Sequence, residues 1–245
     1  MIIKKFTKLK NGMYKVILED RKFKIHEDLI LKHNLLLTKE VTDKDIENLE
    51  QENIKYEVYE IALKELRKRL RSKKELEELL LRKGISPKVT KECINILTDQ
   101  GYLNDEIYAE SYTHDKMLLT SDGPKKIEKE LVDNGIEQEF ITKALINYTE
   151  EKEREKIIKI INRYQKSNKK SKNAFKLKMK QYLISNLGYH TYLVEELLSN
   201  VDIDDNDIYK QEYDKLYRKL SKKYEGKLLE YKIKEKLYQK GFRNH

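Results

Sequence analysis

The fold is decided by a ten-residue pattern that occurs three times, as LEELLLRKGI at 76–85, IEKELVDNGI at 127–136 and IKEKLYQKGF at 233–242. Each copy has apolar residues eight and four positions before a glycine, and another directly after it. A fourth copy, MKQYLISNLGY at 179–189, carries one inserted residue. The glycines at 84, 135, 188 and 241 are separated by 51, 53 and 53 residues. This spacing indicates a tandem structural repeat.

Capping signals divide each repeat into helices. Apolar residues four apart lie on one helix face, and a glycine that follows them is typical of the C′ position, where a left-handed backbone ends the helix. Another helix follows each glycine in the first three units, and a further helix precedes the pair, from Val58 to Leu70 in the first unit with Leu70 facing inward. The helix starts predicted in this way are Ser72 with Glu75 as a capping box, Ser86-Pro87, Asn104 and Gly123-Pro124.

We therefore predict a mainly α protein whose tandem three-helix units form an elongated, curved solenoid, because repeated units bury their faces on their neighbours. The third unit carries Ile157, Ile158, Ile161 and Tyr164, then a lysine-rich loop between Arg163 and Ala174. The predicted domains are an N-terminal β-rich extension with short helices at 1–55, repeat 1 at 56–103, repeat 2 at 104–150, repeat 3 with the basic loop at 151–203, and a partial repeat 4 at 204–245.

The N-terminal extension follows a period of two instead of the helical period. Tyr14, Val16 and Leu18 alternate with other residues, and Asn11-Gly12 before them is a strong hairpin signal. A third short strand is predicted around residues 23–25. Two small helices are expected after it, near 27–32 and from a Thr42 cap through residue 49.

Composition limits the function classes. The chain has 245 residues, 38% of them hydrophobic and 39% charged, with eight Gly and two Pro, which favours long helices around a real core. The N-terminus lacks the apolar stretch of a signal peptide, and no window reaches 18 apolar residues, so we expect a cytoplasmic protein without a membrane partner.

Cys93 occupies the same position in its unit as Ala144 and Leu197, so we expect it in the core. The five histidines, at 26, 33, 114, 190 and 245, show no metal-ligand spacing, and we expect no metal and no cofactor.

The positive charge is concentrated in one stretch. Residues 159–180 hold nine basic side chains and no acid, while the formal net charge of the whole chain is +9. A second basic stretch spans 64–74, and a third, at 210–243, mixes basic with acidic residues. Such a run is either a solvated surface or an electrostatic footprint for a polyanion or an acidic protein groove. For most of the 17 tyrosines, core packing is a better interpretation than base stacking.

Two other function classes stay open. We expect no catalytic residues, because the sequence has no P-loop, Gly-rich dinucleotide turn, nucleophile elbow or His-Glu metal motif, although a nuclease with scattered carboxylates is conceivable. A duplex-DNA reader would present Arg, Asn or Gln on an exposed recognition helix. The third helices, predicted at 87–99, 137–148 and 191–199, carry few of these residues.

Three ordered motifs resemble the RecX family, the bacterial regulatory proteins of the RecA recombinase. They are Arg71-Ser72-Lys73-Lys74-Glu75-Leu76, then Gly101-Tyr102-Leu103-Asn104-Asp105 followed by Tyr108-Ala109, then Gly123 with Ile127, Glu130-Leu131 and Gly135-Ile136. With the glycine repeat they cover about residues 56–245. The resemblance implies a cytoplasmic, non-enzymatic protein of DNA repair, homologous recombination and the SOS response. Such a protein binds along the RecA filament on single-stranded DNA and modulates, usually restrains, ATP hydrolysis and strand exchange.

The resemblance and the charge together predict the binding residues. A positive, elongated monomer would either bridge successive filament subunits or block assembly at a filament end, and direct contact with single-stranded or duplex DNA stays open. The alternative is a helical-repeat protein that binds DNA directly without acting on a recombinase. The candidate filament- or DNA-binding residues are Arg67, Arg69, Arg71, Lys169, Lys170, Lys172, Lys176, Lys178 and Lys180.

Overall fold

The computed structural model describes residues 1–38 and 40–243. Within these residues the chain is mainly α, with one three-stranded antiparallel sheet, as the sequence predicts. The strands are β1 Lys5–Lys8, β2 Met13–Ile17 and β3 Lys22–His26. The helices are α1 Glu27–Lys32, α2 Asp43–Leu66, α3 Lys73–Arg82, α4 Pro87–Asp99, α5 Asp105–Leu119, α6 Pro124–Asp133, α7 Gln138–Leu145, α8 Glu150–Gln165, α9 Lys172–Gln181, α10 Thr191–Ser199, α11 Asn206–Leu220 and α12 Gly226–Gln239. A π-helical turn, Tyr182–Asn186, extends α9.

The described chain divides into two compact units. The first unit is Met1–Tyr108 together with Asn134–Ile136, and the second is Ala109–Asp133 together with the residues from Glu137 onward. Each unit has hydrophobic clusters of its own.

The N-terminal sheet confirms the predicted hairpin. β2 lies between β1 and β3 and pairs antiparallel with both. Asn11 and Gly12 have φ values of 57° and 67°, the left-handed conformation that a tight hairpin turn requires. Val16, Phe23 and Ile25 are buried in one cluster with residues of α1 and of the start of α2.

One long helix replaces two predicted ones. The sequence predicts a helix from Thr42 through residue 49 and another from Val58 to Leu70, but α2 runs unbroken from Asp43 to Leu66. No glycine or proline interrupts residues 43–66, so nothing ends the helix where the hydrophobic period changes. The predicted domain boundary at 55/56 therefore lies inside a helix. Leu70, predicted to face inward, lies beyond the helix with 56% of its surface exposed.

The core of the first unit contains the residues of the pattern. Leu76 and Leu80 on α3 are fully buried, and Cys93 and Leu97 on α4 are at most 4% exposed, which confirms Cys93 as a core residue. The buried Asn53 joins α2 to the sheet, because its Oδ1 accepts a hydrogen bond from the backbone N–H of His26 at 2.8 Å.

The core of the second unit follows the same pattern, except that one isoleucine of α8 takes the place of its neighbour. Ile157 and Ile161 on α8 are buried, but Ile158 is 43% exposed, and Ile160 lies in the core instead. Spacings of three and four along α8 place residues 157, 160, 161 and 164 on one face, and Tyr164 packs against this cluster.

The inserted residue of the fourth pattern copy is absorbed by the π-helical turn. The N–H of Leu187 donates to the carbonyl of Tyr182, five residues earlier, at 3.1 Å. The N–H of Tyr189 then reaches the carbonyl of Leu183 at 3.0 Å, as that of Phe242 reaches the carbonyl of Leu237 in the uninterrupted copy. The same chain reversal thus follows a helix that is one residue longer.

Three helix starts dock on the turns that contain the pattern glycines. These four glycines have φ values between 74° and 89°, which confirms the predicted left-handed ends. In each docking contact the residue before the helix donates to the carbonyl that precedes a glycine. The bonds run from Ser72 Oγ to Asn134 O (2.8 Å), from Gly123 N to Leu187 O (2.6 Å) and from Ser171 Oγ to Lys240 O (2.7 Å).

An aspartate accompanies two of these contacts. Asp105 accepts from the N–H of Lys73 at 3.0 Å, and Asp205 accepts from the N–H of Lys172 at 2.6 Å. Pro124 stands at the corresponding place in the third contact and has no N–H that needs an acceptor. The chain therefore uses one junction design three times.

Candidate functional site

Two of the predicted arginines are bound within the first unit. Arg71 lies 3.2 Å from Glu65, and both side chains are almost buried. Arg69 donates twice to the carboxylate of Glu75, at 2.8 and 3.2 Å. Burial alone would raise the pKa of Glu75, but the hydrogen bonds that it accepts outweigh burial and lower the pKa. Arg67 is exposed after the end of α2, without an ion pair to any described residue.

The lysine-rich loop of the second unit is shorter than predicted. α8 continues to Gln165 and α9 begins at Lys172, so the loop is residues 166–171 and not 163–174. Ser171 causes the early start of α9, because its hydroxyl accepts from the N–H of Ala174 at 3.3 Å as an N-cap. Asn168 folds the loop by accepting from the N–H of Lys170 at 3.0 Å.

The six predicted lysines of this region fall into two sets. Lys172 pairs with Asp202 and Lys180 with Glu195, both at 2.5 Å, and Lys176 donates to the carbonyl of Ser199 at 3.0 Å. The other three are exposed, and none of them forms an ion pair with a described residue. These free lysines are Lys169, Lys170 and Lys178.

A groove in the second unit gathers four of the six lysines. It has a volume of about 830 Å³ and lies among the loop, α9, α10, α11 and the end of α12. Basic side chains outnumber carboxylates in its lining, six to two. The basic residues are Lys169, Lys170, Lys176, Lys180, Lys240 and Arg243, and the acidic residues are Glu195 and Glu212.

The groove is also apolar, which the sequence did not suggest. Leu177 and Tyr238 line it with 71% and 61% of their surfaces exposed, beside the buried Leu198 and Phe242. The guanidinium of Arg243 lies over the ring of Tyr238, 5.4 Å from its centroid. The exposure of Leu177 could have been predicted from the sequence, because this leucine stands between two lysines and lies off the helix face of α9 that is buried.

A cluster of ionisable side chains in the second unit has a structural explanation. Asp122 accepts hydrogen bonds from Lys116 at 3.0 Å and from Lys126 at 2.6 Å, and Lys116 also pairs with Glu130 at 2.7 Å. Burial raises the pKa of Asp122, but the two lysines outweigh burial and lower it. A carboxylate held ionised by two ammonium groups is a poor proton donor or acceptor near neutral pH.

Metal binding and thiol chemistry are two other possibilities among the described residues. No group of three or more His, Cys, Asp and Glu side chains in this part of the chain could hold a metal ion, and His245 lies outside it. Burial raises the pKa of the Cys93 thiol to about 11, so this thiol is a weak nucleophile. Within residues 1–38 and 40–243, no helix combines the length and the apolar character needed to cross a membrane.

The exposed surface of the third helix of repeat 3 does not resemble a DNA-reading face. On α10, Glu196 forms two hydrogen bonds to Arg154 at 2.7 Å, and Glu195 pairs with Lys180. Tyr192 is exposed and donates to Glu150 at 3.0 Å. α10 itself contains no Arg, Asn or Gln that could read base edges.

Comparison with known sequences gives consistent matches. Residues 104–145 match the family model described as the second three-helix domain of RecX. Regulatory protein RecX of Listeria monocytogenes (strain HCC23) is 30% identical over 238 residues, which cover 94% of this chain and 87% of that protein. Regulatory protein RecX of Oceanobacillus iheyensis is 26% identical over 225 residues, with 90% and 83% covered.

Solved structures agree in fold. A crystal structure of regulatory protein RecX superposes with a TM-score of 0.68 at 21% identity and covers 82% of this chain and 99% of its own. The crystal structure of RecX from Lactobacillus salivarius gives a TM-score of 0.54 at 30% identity, with 59% and 94% covered.

Proposed function

Because the chain belongs to the RecX family of regulatory proteins, we propose that it binds the RecA filament on single-stranded DNA and restrains ATP hydrolysis and strand exchange. It acts without catalysis, cofactor or metal, as a cytoplasmic monomer. The filament carries DNA phosphates, and phosphates attract a basic protein.

The observation that carries this proposal is the set of free lysines on the loop 166–171 and on α9, two of which line the groove. Lys169, Lys170 and Lys178 are exposed and without an ion pair to any described residue, so their full charge is available to a partner. Lys172 and Lys180 already neutralise carboxylates and contribute less. Arg69 and Arg71 are paired with carboxylates of the first unit, and Arg67 alone of the three arginines remains a direct candidate.

Binding to RecA filaments on single-stranded DNA tests the proposal, with naked single strands and duplex as controls across a salt series. Each phosphate contact contributes roughly −0.9 on duplex or −0.7 on single strands to the log–log salt slope. We expect tight filament binding, lower ATP turnover, and weak, salt-sensitive binding to naked DNA.

Charge-reversal variants distinguish the contribution of the free lysines to binding from the effect of net charge. We expect the triple variant K169E/K170E/K178E to bind the filament at least tenfold more weakly. The matched control K5E/K10E/K22E makes the same change in net charge on exposed lysines of the first unit and should bind like the wild type. Equal or tighter binding of the wild type to naked DNA, with no effect on ATP turnover, would contradict the proposal and leave a direct DNA-binding protein.

A further inference from the structure

The groove beside α9 combines a cationic rim with exposed apolar side chains, and we propose that it binds an acidic protein segment that carries a large apolar residue. The chemistry of the lining defines this ligand. The inference deepens the proposed function by naming the chemistry of the partner. It rests on that function only in one respect, namely that the RecA filament supplies the segment.

Four of the cations in the groove form no ion pair with a carboxylate in the described part of the chain. They are Lys169, Lys170, Lys176 and Arg243. The two carboxylates of the lining are already neutralised, Glu195 by Lys180 and Glu212 by Lys215 and Lys240. The charge that remains is therefore positive and favours a ligand with several carboxylates.

Lys176 is the most constrained of these cations. Its ammonium donates to the carbonyl of Ser199 at 3.0 Å, and burial together with the nearby Lys172 lowers its pKa against the opposing effect of Asp202. A carboxylate placed in the groove would offset both effects and form a charge-assisted hydrogen bond. The groove thus contains a cation that a negatively charged ligand would stabilise.

The exposed leucine of the lining favours a protein ligand over a nucleic acid, whereas Tyr238 beside Arg243 can serve either ligand. Leu177 is 71% exposed and projects beside the buried Leu198 and Phe242. An aliphatic side chain neither stacks on a base nor hydrogen-bonds to it, whereas it contributes by burial when an apolar side chain packs on it. Grooves that receive amphipathic peptide segments combine an apolar floor with a charged rim in this way.

Fluorescence anisotropy with the full chain tests the inference. The probes are a labelled 16-residue peptide with leucine at every third or fourth position and glutamate elsewhere, the same peptide with lysine in place of glutamate, and labelled oligo(dT). The variants are Leu177→Ala and K169E/K170E. Their matched controls are Leu119→Ala, which removes a leucine 81% exposed on α5, and K222E/K223E, which reverses an adjacent exposed lysine pair.

We expect the acidic peptide to bind the wild type, and both groove variants to weaken that binding about tenfold while the controls change it less than twofold. The lysine peptide should not bind. Equal losses in groove and control variants would overturn the inference. If the groove variants lost binding to oligo(dT) but not to the acidic peptide, the inference would be overturned too, because the groove would then bind nucleic acid. Filament binding by the wild type without peptide binding would refute the groove ligand and leave the proposed function intact.

Discussion

At the scale of single residues, Ser72 joins two separate parts of the first unit. Its side chain is fully buried. The hydroxyl oxygen accepts from the N–H of Glu75 at 3.1 Å, which caps α3, and the hydroxyl donates to the carbonyl of Asn134 at 2.8 Å. One oxygen atom therefore satisfies an otherwise unpaired helix donor and a turn carbonyl at once.

Replacing Ser72 by alanine should lower the free energy of unfolding by about 1–2 kcal/mol, because the cap is lost and the Asn134 carbonyl loses a donor. Urea unfolding followed by circular dichroism measures the change. Ser86→Ala is the matched control, since Ser86 is also an N-cap residue but accepts no cap hydrogen bond from the described residues. We expect a loss below about 0.5 kcal/mol there. Equal losses at both positions would contradict the role given to Ser72.

The sequence shows where the positive charge lies along the chain but not which of the lysines form ion pairs. The stretch 159–180 was visible as a run of bases without acids, because a count along the chain needs no structure. Which lysines are free depends on carboxylates distant in sequence, such as Asp202 for Lys172 and Glu195 for Lys180. Those pairings follow from the packing of α9 on α10, so counting could not separate bound from free cations.

At the scale of elements, the pattern glycines do two different jobs. Gly84 and Gly188 both have a left-handed backbone, with φ values of 82° and 74°. Among the described residues, nothing lies within 4 Å of a Cβ added at Gly84, whereas one added at Gly188 would lie 2.5 Å from the backbone nitrogen of Lys126. Gly84 is needed for conformation alone, and Gly188 also for close packing on the start of α6.

Alanine substitutions separate these two roles. Gly84→Ala should cost about 1 kcal/mol, the penalty of a left-handed non-glycine residue. Gly188→Ala should cost about 3 kcal/mol or more, because the backbone of α6 must also move. Thermal unfolding of both variants compares them directly. A Gly188→Ala variant as stable as Gly84→Ala would show that the contact with α6 contributes little.

Local signals explain which elements were predictable. Thr42, Ser72, Pro87 and the pattern glycines act within one turn of their own position, so their helix ends follow from the sequence. The continuity of α2 did not, since the hydrophobic period changes without any residue that stops a helix. The elongated, curved solenoid and its division into domains remain predictions, because they depend on how the units are arranged.

At the scale of the whole molecule, the two compact units have separate hydrophobic clusters, one built around Leu76 and Leu80 and another around Ile157 and Leu183. A chain built in this way should open in parts, because each cluster can lose its packing while the other persists. Peptide-resolved hydrogen exchange detects such partial opening in the full-length protein.

We expect Ser72→Ala to accelerate amide exchange in α3 and α4 while leaving α8 and α10 unchanged. Gly188→Ala should have the opposite pattern, because its contacts with Lys126 lie within the second unit. The two substitutions serve as controls for each other, since each tests the unit that the other leaves intact. Uniform acceleration along the chain in either variant would mean that the molecule unfolds as one cooperative body, whatever its division into clusters.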